Sequence, residues 1–340
     1  MSNTSRKISR SLAPLILLCV TGGMAIAQMY KTTGAIPIGG SGGWDYLTAD
    51  SQNRRLYVSH GTEVVVIDLN SEKVVGRVSG LNHIHGIAVA DDLGVGFISD
   101  GGNNEVVAFD LKDLSVKQKI KAGTNPDGIV YDPASKRVFA FNGRSEDATV
   151  IDAAKLTVEG SIKLGGKPEF PVSDGQGNVY DNIEDKSEIV KIDSKSLTVT
   201  AKWSLSPCES PSGLAIDTRN RRLFSVCDNK LMAVVDANTG KVAATLAIGE
   251  GPDAAAYDPG TKLAFSSNGE SGTITVVREA GKDHYATETV KTEEGARTMT
   301  VDDKTHKIYL STAKFAPRPQ GSHSRPSILQ GTFKILVLAQ

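Results

Sequence analysis

The chain has 340 residues, of which 39% are apolar and 6% aromatic, with 34 glycines and with 38 basic against 39 acidic side chains. That length holds one large domain or two ordinary ones, and the glycine-rich, aromatic-poor composition suits a turn-rich all-β chain. The near-balanced charge excludes the basic footprint of a general nucleic-acid binder, and no basic run interleaved with aromatics occurs.

The first element reads as an export signal over residues 1–27. Arg6, Lys7 and Arg10 form a basic start, and LAPLILLCV at 12–20 is apolar but too short to span a bilayer. Ala25-Ile26-Ala27 supplies the small residues that a signal peptidase needs, so cleavage is expected after Ala27. Leu18 stands where a lipoprotein signal would need a small residue before Cys19. No stop-transfer pattern follows. The expected mature chain, residues 28–340, is periplasmic or secreted, has no membrane span and is a monomer. Its 35 basic and 39 acidic residues give a formal charge of about −4.

Beyond the signal the chain repeats. A hydrophobic run ending in Asp recurs at Asp68, Asp110, Asp152, Asp193 and Asp236, in steps of 41 to 43 residues. A sixth copy ends at Arg278. A second marker keeps the same register: Asn125-Pro126-Asp127-Gly128, Lys167-Pro168-Glu169-Phe170, Ser210-Pro211-Ser212-Gly213 and Gly251-Pro252-Asp253-Ala254. Each copy reads as four short strands; in the fifth they fall near 213–216, 222–226, 231–235 and 241–247. Turns rich in Asp, Asn, Gly and Lys separate them, and no helical period appears after the signal.

A period of about 42 residues with four strands per unit is the mark of propeller blades. The sequence therefore predicts an all-β, seven-bladed β-propeller with four-stranded antiparallel blades, in one domain. The seventh copy contains TMTVD, KIYLS and FKILVL and then lacks a fourth strand. Residues 30–38, YKTTGAIPI, look like the fourth strands of other copies, so an N-terminal strand is expected to close the last blade.

Arg55-Leu56-Tyr57-Val58-Ser59, the Xaa-Pro-Asp-Gly entries and the Val-Ile-Asp strand ends resemble the YVTN-family β-propeller repeat of YncE-like exported proteins. The resemblance covers essentially the whole mature chain. It implies a periplasmic or secreted propeller and brings no catalytic residues. The ring is also broadly similar to lactonase propellers and to the d1-haem propeller of nitrite reductases, but their site motifs are not legible here.

In such a ring the inner strands line a central channel. One entry residue per blade is expected at its mouth: Asp45, His85, Asp127, Glu169, Ser212, Asp253 and Arg297. Four converging carboxylates must stay solvated, take up protons or gather a cation. A divalent ion such as Ca²⁺ would be held by Asp127, Glu169 and Asp253, while His85 and Arg297 could orient an anionic or carbonyl-bearing ligand. An Asp after Pro also caps its own turn, so the same residues can be structural. His83 is expected beside His85 on one strand face. Ser59, His60, Asp100, Asn142, Asn182 and Asn268, ending the second strands, would add hydrogen bonds to a ligand or else shape hairpins. Trp44, where other blades carry proline, is either an exposed partner anchor or a channel plug. About 20 residues separate the last two strands of blade seven, including Pro317, Arg318, Pro319, His323, Arg325 and Pro326, which could clamp an acidic partner or cover the channel. Cys208 and Cys227 fall on the same face and are expected to form a disulfide.

These features favour a non-enzymatic binding or scaffold protein that uses the channel-mouth face for a protein or small-molecule ligand. A metal-dependent, lactonase-like hydrolase is the alternative, with Glu169, His85, Asp253 and Asn182 as its test residues. A haem-associated electron-transfer propeller is a third reading, without any Cys-x-x-Cys-His attachment motif.

Overall fold

The computed structural model describes Met1 and residues 30–317 and 326–340. The export signal expected at 1–27 and the insertion residues Arg318, Pro319, His323 and Arg325 lie outside the described residues. What is described is seven four-stranded antiparallel sheets and three single-turn 3₁₀ segments, with no α-helix.

Blade one runs outward from the axis through Trp44–Asp50, Arg55–His60, Glu63–Asp68 and Lys73–Ser79. The next five repeat it from inner strands beginning at Ile84, Pro126, Pro168, Pro211 and Pro252. Blade seven joins both ends of the chain. Thr298–Asp302, Lys307–Thr312 and Lys334–Ala339 receive Lys31–Pro37 as the outer strand, antiparallel, with Lys31 opposite Ala339 and Pro37 opposite Lys334. The closure inferred from sequence is thus present.

The recurring Asp has a local cause. Asp68 Oδ1 accepts from the Ser71 backbone N–H at 2.7 Å, Asp110 from Lys112, Asp152 from Ala154, Asp193 from Ser196 and Asp236 from Asn238. Each carboxylate caps the turn into the outer strand. Four residues after each Asp the backbone turns left-handed, at Glu72, Leu114, Leu156, Leu197 and Gly240. Blade six lacks the Asp, and there the hairpin does not turn back. Thr273–Gly281 and His284–Lys291 run on as a longer ribbon through Arg278.

Glycine in the Pro-Asp-Gly entry has a separate reason. A Cβ on Gly128 would lie 2.2 Å from the Glu169 carbonyl oxygen, and one on Gly213 would lie 2.4 Å from Ala255 N. At these two junctions the next inner strand comes that close, and only glycine permits it.

The apolar core forms seven clusters, one at each blade junction. The third strands sit between two of them, so Val64, Val65, Val66 and Ile67 are all fully buried. The N-terminal strand contributes Ile36 to the junction of blades seven and one, and Tyr30 just ahead of it packs edge-on to Phe265 at 5.3 Å. Cys208 and Cys227 form a disulfide within blade five, their Cα atoms 5.7 Å apart.

If the N-terminal strand holds the ring shut, Ile36→Ala should lower the unfolding free energy by about 3 kcal/mol, the usual cost of emptying a core site. Val158→Ala, on the exposed outer strand of blade three, should change it by less than about 0.5 kcal/mol. Chemical denaturation measures both. Equal effects would mean that the strand is not part of the closure.

Candidate functional site

Six of the seven entry residues follow the first residue of an inner strand, Arg297 stands just before its strand, and neighbours fix them. Ser59 Oγ accepts from Asp45 N at 3.0 Å, Ser99 Oγ from Gly86 N at 3.0 Å and Ser267 Oγ from Ala254 N at 3.3 Å. Asn182 Nδ2 donates to Ser212 O at 2.9 Å and to Gly213 O at 3.1 Å. The polar ends of the second strands therefore brace the entry turns. His60, Asp100, Asn142, Asn182 and Asn268 are all buried. Asp100 takes Asn82 N and Asn103 Nδ2, and Asn268 bonds Thr273 and Thr275. Asp100, Asn182 and Asn268 thus spend hydrogen bonds on neighbouring backbone and side chains, while His60 stacks on Phe333 at 4.3 Å with Nε2 unpartnered.

Six of the seven entry residues, Asp45, Asp127, Glu169, Ser212, Asp253 and Arg297, line one small pocket of about 100 Å³ at the axis. His85 stands behind them. Its Nδ1 lies 2.7 Å from Asp45 Oδ2 and 3.7 Å from Asp127 Oδ1, linking the inner strands of blades one, two and three. The opposite ring edge, with Nε2, abuts the backbone at Gly101. His83 precedes the strand in a left-handed conformation, with its ring 4.7 Å from that of His85. Arg297 pairs with Asp253, approaches Asp45 at 3.9 Å and donates to Trp44 O at 2.9 Å. Ser212 Oγ donates to Pro252 O at 3.3 Å.

The floor of the pocket is aromatic. Tyr46 of blade one and Phe170 of blade four meet across the axis, centroids 4.7 Å apart. They occupy the repeat position where other blades carry Gly86, Gly128, Gly213, Ala254 and Thr298. That substitution was visible in the sequence register and marks the plug. Lys167 is a second residue not singled out beforehand. It pairs with Glu169 at 2.6 Å and also with Glu184. A third is Asp181, fully buried with no hydrogen-bond partner at either oxygen, where other blades have Val58, Ile98, Ala140, Ser225, Ser266 and Leu310.

Above the small pocket lies a cleft of about 510 Å³ that adds Glu184, Asp228, Glu270 and Glu294. Its apolar wall is Trp44, Phe315, Pro326 and Ile328. Trp44 is not an exposed anchor. It is buried, stacks on Phe333 at 5.3 Å and touches Phe315 at 6.1 Å, rooting the described part of the blade-seven insertion. Phe315 and Ile328 pair as an isolated bridge across that insertion.

Eight carboxylates thus line the two cavities, against Arg297, Lys167 and His85. Burial pushes the Glu169 carboxyl well above the ordinary carboxylate range, and Asp127 pushes it further; Lys167 offsets part of this. Asp127 is likewise raised by burial, partly countered by His85. Burial opposes charge on His85, but Asp45 and Asp127 outweigh it and raise its pKa. Asp181 is raised by burial, with Glu169 and Asp127 adding.

Among the described residues, ligand atoms of Asp45, His85 and Asp127 come together, all within 4.8 Å of one another. Of the expected ion ligands only Asp127 belongs to this group. Glu169 is held by Lys167 and Asp253 by Arg297, which supply positive charge in an ion's place. An imidazole among the donors is a poor match for Ca²⁺, which prefers oxygen.

No known protein-family pattern and no curated protein sequence matches the chain. Solved structures do. Hydrazine synthase of Kuenenia stuttgartiensis superposes with a TM-score of 0.68 at 17% identity, over 85% of this chain and 96% of the other. U3-55K gives 0.74 at 8% identity over 89% and 97%, and the RRP9 WD40 repeats give 0.75 at 8% over 90% and 97%. At these identities the likeness is one of fold.

A carboxyl with a raised native pKa binds its proton more tightly folded than unfolded. Its contribution to stability therefore declines as pH rises above the ordinary carboxylate range. Glu169→Gln should remove that decline. The variant's melting temperature should gain on wild type between about pH 5 and about pH 8, and parallel curves would show that Glu169 ionises normally.

Proposed function

We propose that this chain is an exported binding protein of the YVTN-repeat kind whose channel mouth receives a cationic group. The observation that carries the reading is the excess of acids over cations. Among the described residues, Asp228, Glu270 and Glu294 form no ion pair, and Glu169 and Asp127 are crowded enough to hold protons. A cation entering the small pocket relieves that repulsion and strengthens as those protons leave. The apolar wall of the outer cleft suits the stem of such a ligand, whether an amine or a lysine or arginine side chain of a partner.

Export is supported by the signal pattern at 1–27 and by the Cys208–Cys227 disulfide, a bond that persists in oxidising compartments. If the protein is recovered after secretion, its N-terminal residue should be Gln28. A mature chain still starting at Met1 contradicts the cleavage.

The Asp45–His85 pair is the one observation that favours a hydrolase. Its free nitrogen faces Gly101 and not the pocket, which leaves binding as the better-supported role. Lactone opening, assayed with and without chelator, separates the two.

Calorimetry with spermidine tests the cation site. Binding should tighten several-fold between about pH 6 and about pH 8 and fall at least tenfold in an Asp127→Asn, Glu169→Gln double variant. Tighter binding of citrate than of spermidine would refute a cation-selective mouth.

A further inference from the structure

The inner strands carry the channel from the acidic mouth to the opposite face, and the Tyr46–Phe170 pair divides it. Beneath that pair lies a bore of about 270 Å³, lined by Ile87, Ile129, Val172, Leu214, Ala256 and Met299. Two of its hydroxyls are engaged by backbone groups. Thr48 Oγ1 donates to Ile87 O at 2.7 Å, and Thr300 Oγ1 accepts from Ala49 N at 3.3 Å. A buried water needs two to four polar partners, and this wall offers few. Apolar cavities of about 150 Å³ stay dry and take up apolar molecules.

The far end opens into a recess of about 400 Å³ that shares Thr48, Ile87 and Ile129 with the bore. Asp50, Asp91 and Asp303 form its rim. Asp50 Oδ2 and Asp91 Oδ1 both accept from the single amide of Asn53, at 2.9 and 2.7 Å. Two carboxylates share one neutral donor there. Lys304, next to Asp303, donates to Gln52 O at 3.4 Å. Burial and the neighbouring Asp50 raise the Asp91 carboxyl, as expected where negative charge lacks a counterion.

We infer that the lower channel is a second binding site, taking a slender alkyl chain that ends in a cationic group. The chain fills the bore up to the aromatic pair, and the cation rests at the rim against Asp91, beside Asp50. The site stands independently of the mouth, because the plug separates them and no rim residue is shared.

Calorimetry with octylammonium, decylammonium and decyl sulfate, each below its micelle concentration, tests this on the full mature chain. Two further methylenes buried should tighten decylammonium over octylammonium by about tenfold. Decyl sulfate should bind at least tenfold more weakly than decylammonium. Ala256→Phe should abolish binding by filling the bore. Asp91→Asn, on the exposed rim, should remove most of the preference for the cation while the protein stays folded by circular dichroism. Asp127→Asn, in the mouth, should leave the gain from octylammonium to decylammonium unchanged. The inference fails if chain length has no effect, if decyl sulfate binds as well, if Asp91→Asn changes nothing, or if the mouth variant abolishes binding.

Discussion

Every sheet in this molecule has two apolar faces, and no single blade can cover both. Val64 to Ile67 in blade one, or Val106 to Phe109 in blade two, are fully buried only because a neighbour lies on each side. Seven junctions, each with its own cluster, satisfy that demand when the ring is complete. The hydrophobic effect thus fixes the circle, and turn chemistry fixes its period. The capping Asp at the end of the third strand sets where the first five blades fold back.

The chemistry at the axis follows from that repetition. One sequence position, copied seven times, is brought to a common point. Four of those copies are acids, so crowding of negative charge is a consequence of symmetry before it is a matter of function. What breaks the symmetry gives the site its character. Arg297 and Lys167 hold two of the acids, His85 ties two others together, and Tyr46 with Phe170 stand across the axis where other blades carry glycine or a small residue.

Much of this could be read before any coordinates. The period, the blade count and the pairing of Lys31–Pro37 with Lys334–Ala339 follow from matched patterns that can bury apolar surface in one way only. Six of the seven entry residues meet as the register requires. The pairing among them was not legible, because it depends on side-chain reach across the axis and not on spacing along the chain. Asp100, Asn182 and Asn268 looked available to a ligand because sequence shows a polar residue at a strand end and not the backbone groups that absorb it. Trp44 looked like an anchor for the same reason: Phe333, which buries it, lies almost at the other end of the chain. The long ribbon of blade six was foreshadowed by Arg278 in place of Asp.

The shared last blade also orders events in time. Lys31 is paired with Ala339, and almost the whole chain lies between them. The first strand to leave the ribosome must wait, unpartnered, for the last. So long as residues 334–339 are still being synthesised, blade seven has no sheet edge to offer and the two junctions beside it stay unsealed. A chain of this design reaches its closed form in one late step, however early its other blades pair.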